Sequence, residues 1–249
     1  MAGTCRSHVG ALMYLSRATR PDITFATNWL SRAVSKWGPQ QDKDLEHLVG
    51  YISGTTTAAL VAEVDVRDRR DGLWLELWVD SDHAGEPGRR STSGWALMLR
   101  GRYGAKAPLD WASRKQAAVA RSSGEAETAV LDEALRGILG VNRGLCSAGL
   151  PIMDALEKIL GVNLGVRVLV DASVCKTAAE KGTSTQMKHI SKSQGVDLFW
   201  LRDIVRRTDV QLDKVSSADN LADLLTKPLH GRRVQELSET VGVAFSSPG

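Results

Sequence analysis

Between Gly72 and Asp80 the chain reads GLWLELWVD, and its side chains alternate: Leu73, Leu75, Leu77 and Val79 on one face, Trp74, Glu76, Trp78 and Asp80 on the other. Period-two patterning of this kind selects a strand with one core face. GVRVLVD, residues 165–171, is a β-branched run of the sort buried inside sheets. TSGWALMLRG is a further strand candidate, LDWASR leading into AAVARSS supplies a third, and DVQLDKVSS reads as the final strand. AALVAEV and GLWLELWVD flank DVRDRRDG, whose Asp71-Gly72 is a turn signal. Strands first in hairpins, then alternating with helices, imply an α/β fold: a mixed sheet with helices on its faces.

The helices follow from apolar spacing and end signals. Residues 6–53 read as helical. Pro21 suits a first helical position with Thr19 as a candidate cap, and GPQQDKDLEHLVGYISGT is opened by Gly38-Pro39 and closed by Gly54. ASVCKTAAEKG gives a short helix, 194–207 a longer one and ADNLADLLTK a last short one, after which the tail beyond Pro228 is polar and low in signal.

At 249 residues and 43% hydrophobic composition there is material for one good core with a smaller appendage. The net charge of +3 names no partner, but its distribution is informative. From His83 to Ser122 eight basic residues (Arg89, Arg90, Arg100, Arg102, Lys106, Arg114, Lys115, Arg121) stand against Glu86 and Asp110. Such an excess attracts a polyanion, or else forms a solvated face. Cys5, Cys146 and Cys175 lack CxxC spacing, which argues against a disulfide framework and against zinc. With no signal-peptide pattern and no long apolar run, the expectation is an intracellular protein, cytoplasmic or nuclear, with no membrane partner.

The stretch ARSSGEAETAVLDEALRGIL, residues 120–139, becomes a helix capped by Ser122 or Ser123. Glu127 heads an apolar stripe with Leu131, Ala134, Ile138, Val141 and Leu145, whereas Glu125 falls with Thr128, Asp132 and Arg136 on a polar side. Three further carboxylates sit where α/β folds collect chemistry: Asp80 and Asp171 at strand ends, and Asp223 in the last short helix among Leu221, Leu224 and Leu225. Each has a plain structural alternative. Asp171 can cap the next helix, Asp80 can form a turn beside Ser81 and Asp82, and Asp219 competes with Asp223. Together they make a hard-oxygen cluster of the kind that holds magnesium, and beside a basic surface they suit two-metal phosphoryl chemistry.

Five separated segments, WVDSDHAGEPGRRSTSGWALML, DWASRKQAAVARSSGEAETAVLDEA, VLVDASVCKTAAEKG, TSTQMKHIS and SADNLADLLTKPL, occur in the order seen in ribonuclease H domains of copia-type LTR retrotransposon Pol polyproteins, which the chain resembles over roughly 5–230. CRSHVGALMYLSRATRPDITFATNWLSR resembles the segment linking the reverse transcriptase to that domain. The resemblance implies a connection segment over 1–56, a ribonuclease H-like domain over 57–230, with a five-stranded mixed sheet flanked by helices, and a polar tail over 231–249. It implies hydrolysis of the RNA strand of RNA–DNA hybrids, leaving a 5′-phosphate and a 3′-hydroxyl, with two Mg2+ ions for which Mn2+ can substitute. Carried over, the four acids are Asp80, Glu127, Asp171 and Asp223. Asp80 would bridge both ions, Asp223 would serve the ion that activates water, and Glu127 and Asp171 the ion at the leaving 3′ oxygen. Arg89, Arg90, Ser91, Ser93, Arg114, Lys115, Ser122, Ser123 and His189 are the candidate substrate contacts, and Trp95 and Trp111 suit core packing better than stacking on sugars.

The family usually shows KHID followed by a second histidine, whereas this chain reads KHISKSQGVDLFWLRD. It carries no YxDD polymerase motif, so polymerase activity is expected only from a partner domain. The alternative to an enzyme is a catalytically inactive nucleic-acid-binding remnant or connection module of such a polyprotein.

Overall fold

The computed structural model describes residues 3–83, 90–139 and 152–245. Three helices come first: α1 (Cys5–Ala18), α2 (Thr24–Ala33) and α3 (Pro39–Gly54). Strand β1 (Ala59–Leu60) and helix α4 (Asp68–Asp71) lead into a meander of β2 (Leu73–Asp82), β3 (Thr92–Gly101) and β4 (Lys106–Lys115). Then come α5 (Ser123–Ile138), α6 (Ile152–Leu160), β5 (Gly165–Val170), α7 (Ser173–Lys181), α8 (Ile190–Gln194), α9 (Leu198–Val205) and β6 (Val210–Lys214). A 3-10 turn over Leu221–Leu225, helix α10 (Gly231–Val241) and strand β7 (Val243–Ala244) complete the order.

The main sheet runs β4-β3-β2-β5-β6, antiparallel through the meander and parallel from β2 to β5 to β6. This is the five-stranded mixed sheet flanked by helices that the resemblance implied. The alternation in β2 is the reason it sits centrally. Leu75, Leu77 and Val79 are buried against Val130, Leu131, Leu135 and Ile138 of α5, with Cys175, Ala178 and Leu201 completing that core. On the other face Trp78 packs with Ala96, Met98, Trp111, Leu224 and Leu225. Among the described residues no helix is long and apolar enough to cross a membrane.

Several sequence expectations shift. AALVAEV supplies β1, which pairs with β7, and a bridge from Glu63 to Lys106 of β4, and does not pair with β2. Residues 231–249, expected as a polar tail, include α10, because Val234, Leu237 and Val241 recur at helical spacing and cover the second core. The helix expected over 194–207 is two pieces. Gly195, at φ 72°, ends α8, and the Asp197 carboxylate accepts the N–H groups of Phe199 (2.9 Å) and Trp200 (3.2 Å) to start α9. Thr19 does not cap. Arg20 precedes Pro21, ion-pairs with Asp22 at 2.7 Å and donates to the Thr55 hydroxyl and carbonyl, while Tyr51 donates to Asp22. That buried network ties α3 to the turn after α1. The α1–α2 pair then docks on β4: Trp111 donates to the Ser16 carbonyl at 2.8 Å and Asn28 to the Ser113 carbonyl at 2.6 Å.

One glycine sets how closely the 3-10 turn approaches the sheet. Gly94 lies opposite Asp80, and a Cβ there would come within 2.5 Å of Thr226 Cγ2 and 2.9 Å of Leu225 Cβ. Gly94→Ala is therefore expected to cost about 1–3 kcal/mol by overpacking and to push the turn off β2. Denaturant unfolding of the variant beside the parent chain checks the figure.

Candidate metal centre

Asp80 lies near the end of β2, buried beneath the 3-10 turn. Asp171 directly follows β5, the parallel neighbour of β2. Its carboxylate accepts from the Ser217 hydroxyl at 3.0 Å and does not cap α7, whose N-cap position is Ala172. Glu127, in the second turn of α5, is buried; its Oε1 accepts from the Ser81 N–H (3.0 Å) and hydroxyl (3.1 Å). One oxygen each of Asp80, Glu127 and Asp171 can be chosen so that all lie within 4.8 Å of one another. Parallel pairing of β2 with β5 forces this, because it brings the two strand ends, and hence the two aspartates, side by side.

Asp223 belongs to the same neighbourhood through a cation. Lys227 Nζ lies 2.6 Å from Asp223 Oδ1 and 3.3 Å from Asp80 Oδ2. The Thr226 hydroxyl donates to Asp80 as well. The turn is pinned by buried Asn220, whose Nδ2 donates to the Val79 carbonyl at 2.9 Å and whose Oδ1 accepts the Ala222 N–H at 3.1 Å. Asp219, the competing acid, is exposed and accepts from Ser216. Sequence reasoning missed Asn220, Thr226 and Lys227. The signal for Lys227 was present: it follows Asp223 by four residues, the spacing of a helical ion pair.

Crowding of buried acids raises their proton affinity. Burial, helped by Asp223 and Asp171 and opposed by Lys227 and Thr226, pushes Asp80 up to about 6. Burial, then Asp80 and Asp171, hold Glu127 well above the usual carboxylate range despite Ser81. Burial lowers the Lys227 ammonium, but Asp80 and Asp223 outweigh it and the net shift is upward. Glu127 Oε2 is buried and finds no hydrogen-bond partner.

The expected substrate contacts divide. Arg89 lies outside the described residues. Arg90, Ser122, Ser123 and His189 are exposed. Ser122 also caps α5, accepting the Glu125 N–H at 3.2 Å. Arg114 pairs with Glu133 at 3.3 Å, and Lys115 is half-buried. Ser91 and Ser93 are buried, so neither hydroxyl is presented to a phosphate; Ser93 accepts from Gln116 at 3.0 Å. Trp95 and Trp111 are core residues. The basic excess is also split by the register. Arg100 lies opposite Trp74, six residues along β2 from Asp80, which at about 3.4 Å per residue is roughly 20 Å away. Arg100 pairs there with Glu76, and Lys106 reaches the Glu239 carbonyl.

Glu125 corrects another expectation. It is buried, as are Thr128 and Asp132, because α5 packs on α7 and the 187–193 segment as well as on the sheet. Its carboxylate accepts the Arg121 N–H at 2.9 Å and the Ser193 hydroxyl, tying the start of α5 to α8.

No protein-family model matches the chain. It is 29% identical over 247 residues to the Retrovirus-related Pol polyprotein from transposon RE1 of Arabidopsis thaliana, covering 98% of this chain and 15% of that protein. Against the Retrovirus-related Pol polyprotein from transposon TNT 1-94 of Nicotiana tabacum it is 29% identical, covering 95% of this chain and 16% of that protein. The chain thus spans about 15% of the length of these polyproteins. Secreted RxLR effector protein 161 of Plasmopara viticola is 37% identical over 129 residues, 51% of this chain and 84% of that protein. Among solved structures, RNase H1 from Halobacterium salinarum NRC-1 aligns with 61% of this chain and 93% of its own at 16% identity and a TM-score of 0.38. The foamy viral protease-reverse transcriptase in complex with RNA/DNA hybrid aligns with 92% of this chain and 26% of its own at 11% identity and a TM-score of 0.48. The chain belongs to a family that it shares with the Plasmopara viticola protein, and over nearly its whole length it is a homologue of the copia-type retrotransposon Pol polyproteins.

Proposed function

We propose that this chain is a metal-dependent ribonuclease H that hydrolyses the RNA strand of RNA–DNA hybrids, with residues 1–56 serving as the connection to a polymerase domain. The observation that carries the reading is the convergence of Asp80, Glu127 and Asp171, with Glu127 Oε2 left without a partner. Asp80, Glu127 and Asp171 would hold one Mg2+, and Asp80 with Asp223 a second. Bound there, magnesium supplies charge against the phosphate oxygens and an acidified water. The chain's own residues set the stage. Ser81 fixes the orientation of Glu127, Thr226 that of Asp80, and Asn220 holds the turn that carries Asp223. Ser122 and Ser123 stand exposed at the start of α5, where a helix N-terminus favours a phosphate. Arg90 and Arg121, both exposed, add attraction for the strand. Selection of RNA would come from contacts to its 2′-hydroxyls. The second reading, a non-catalytic binding remnant, is favoured by one observation: Lys227 already neutralises the Asp80–Asp223 pair.

Asp80→Asn separates the two readings. It should abolish cleavage of a labelled hybrid in Mg2+ while hybrid affinity stays within about twofold, since no phosphate contact is lost. Retained cleavage overturns the assignment. The same variant has a pH signature. Because the folded-state value of Asp80 is raised to about 6, its ionisation weakens the metal-free fold as pH rises through that value. Without metal, Asp80→Asn should therefore melt higher than the parent at pH 7.5, and the advantage should vanish near pH 4.

Glu127 and Glu125 should part company. Glu127→Gln is expected to lower the rate by at least about 10²-fold. Glu125→Gln loses good acceptance from Arg121 and Ser193, costing about 1 kcal/mol of stability, and should keep cleavage. Rates and unfolding curves of the two variants, measured together, decide the register of α5.

Hybrid affinity should fall steeply with salt through counter-ion release. Replacing Arg90, Arg114, Lys115 and Arg121 with Gln should flatten the log–log slope by about 0.7–0.9 for each phosphate contact removed. An unchanged slope would leave these residues as a solvated face.

A further inference from the structure

Lys227 is the one feature of the cluster that the metal-dependent reading leaves without a task. Its ammonium lies 2.6 Å from Asp223 Oδ1 and 3.4 and 3.3 Å from the two oxygens of Asp80, so it bridges two of the four acids. Glu127 and Asp171 crowd Asp80 without an ion pair to Lys227, and Glu127 Oε2 has no hydrogen-bond partner. The two halves of the cluster thus differ: one is open to a cation, and the other already holds one.

We propose that Lys227 is a positioning residue that fills the Asp80–Asp223 half as an internal counter-ion and must withdraw before a second divalent cation can bind there. The inference rests on the metal-dependent reading above. A divalent ion held by Asp80 and Asp223 would need the space between their carboxylates. The ammonium occupies that same gap, and two cations within about 4 Å of each other repel strongly. Withdrawal is open to Lys227, because its side chain is 33% exposed and rides on a flexible four-carbon stem. Asp80 and Asp223 are buried, and Asn220 ties the turn that carries Asp223 to the Val79 carbonyl. Filling is therefore ordered. The first ion enters at Asp80, Glu127 and Asp171; the second, at Asp80 and Asp223, binds more weakly because it has to displace the lysine. Between turnovers Lys227 keeps two neighbouring carboxylates from facing each other uncompensated.

The test is Mn2+ alone, titrated into the full chain without nucleic acid at fixed ionic strength, with bound ions counted by electron paramagnetic resonance of the free ion. The parent should show one tighter and one weaker site. In Lys227→Met the weaker site should tighten by about tenfold or more, as expected when a like charge leaves a half-buried position. The metal-free Lys227→Met protein should also melt lower than the parent and recover more on adding Mn2+. Lys227→Arg keeps the charge, so it should retain the weak second site, and it stands in if the methionine variant fails to fold. A second-site affinity unchanged across parent, Met and Arg proteins, with the first site intact, overturns the role of Lys227 and leaves the metal-dependent reading standing. Two equal sites in the parent overturn it equally. Absence of any Mn2+ binding overturns both.

Discussion

Asp80 and Glu127 are carried out of water at the end of one strand, beside Asp171 at the end of its parallel neighbour, and this crowding of like charge shapes everything around it. Parallel pairing of β2 with β5 makes the two aspartates neighbours, and the stripe of α5 that packs on Val79 delivers Glu127 to the same point. A protein that only needed stability would not assemble three carboxylates there, since their burial opposes folding unless something positive is supplied. The compensations are local and specific. Ser81 offers a backbone N–H and a hydroxyl to one acid, Thr226 and Lys227 serve another, and one oxygen of Glu127 is left over. That remainder separates an arrangement poised for an ion from a merely satisfied polar core.

Holding the acids in place falls to the turn over Leu221–Leu225. Its leucines are buried with Met98 and Trp111, its cap Asn220 reaches back to the Val79 carbonyl, and it crosses β3 where Gly94 has no side chain. Function and fold share atoms here. The contact that seats Asp223 also covers the second face of the sheet, so the turn cannot be loosened without exposing the core beneath it.

Much of this could be read from residues alone, for reasons that are physical. β2 is amphipathic with period two, β5 is apolar but for Gly165 and Arg167, and an aspartate lies close to the end of each; such strands carry their burial in their composition. Glu127 was legible because it continues an apolar stripe. Glu125, Thr128 and Asp132 were misread because a helix wheel assumes one buried face, whereas α5 is packed on two. Ser91 and Ser93 look like surface hydroxyls in sequence, yet both are buried: Ser93 lies on β3 between β2 and β4, and Ser91 just before that strand accepts the Gln116 N–H. Helix α10 was lost in a polar stretch because only three of its positions are apolar, and their value appears once Trp78 and Trp111 need a cover. Lys227 was overlooked because a lysine in a mixed-charge segment carries no mark of where its ammonium will rest.

The pairing of β1 with β7 bears on how such a chain can be divided. Ala59 and Leu60 lie beside Ala244 and Val243, so the strip that joins the helical N-terminal part to the sheet is hydrogen-bonded to residues near the other end. A cut at 230, natural on sequence grounds, parts this seam: it leaves Ala59 and Leu60 unpaired and uncovers the part of the second core that Leu237 and Val241 close. A cut at 57 keeps the ribbon but takes Ser16 and Asn28 away from Trp111 and Ser113 on β4. The unit that can be moved, swapped or expressed intact is therefore set by this clasp together with the docking of the N-terminal helices on β4, and it reaches from those helices to the strand at Val243–Ala244.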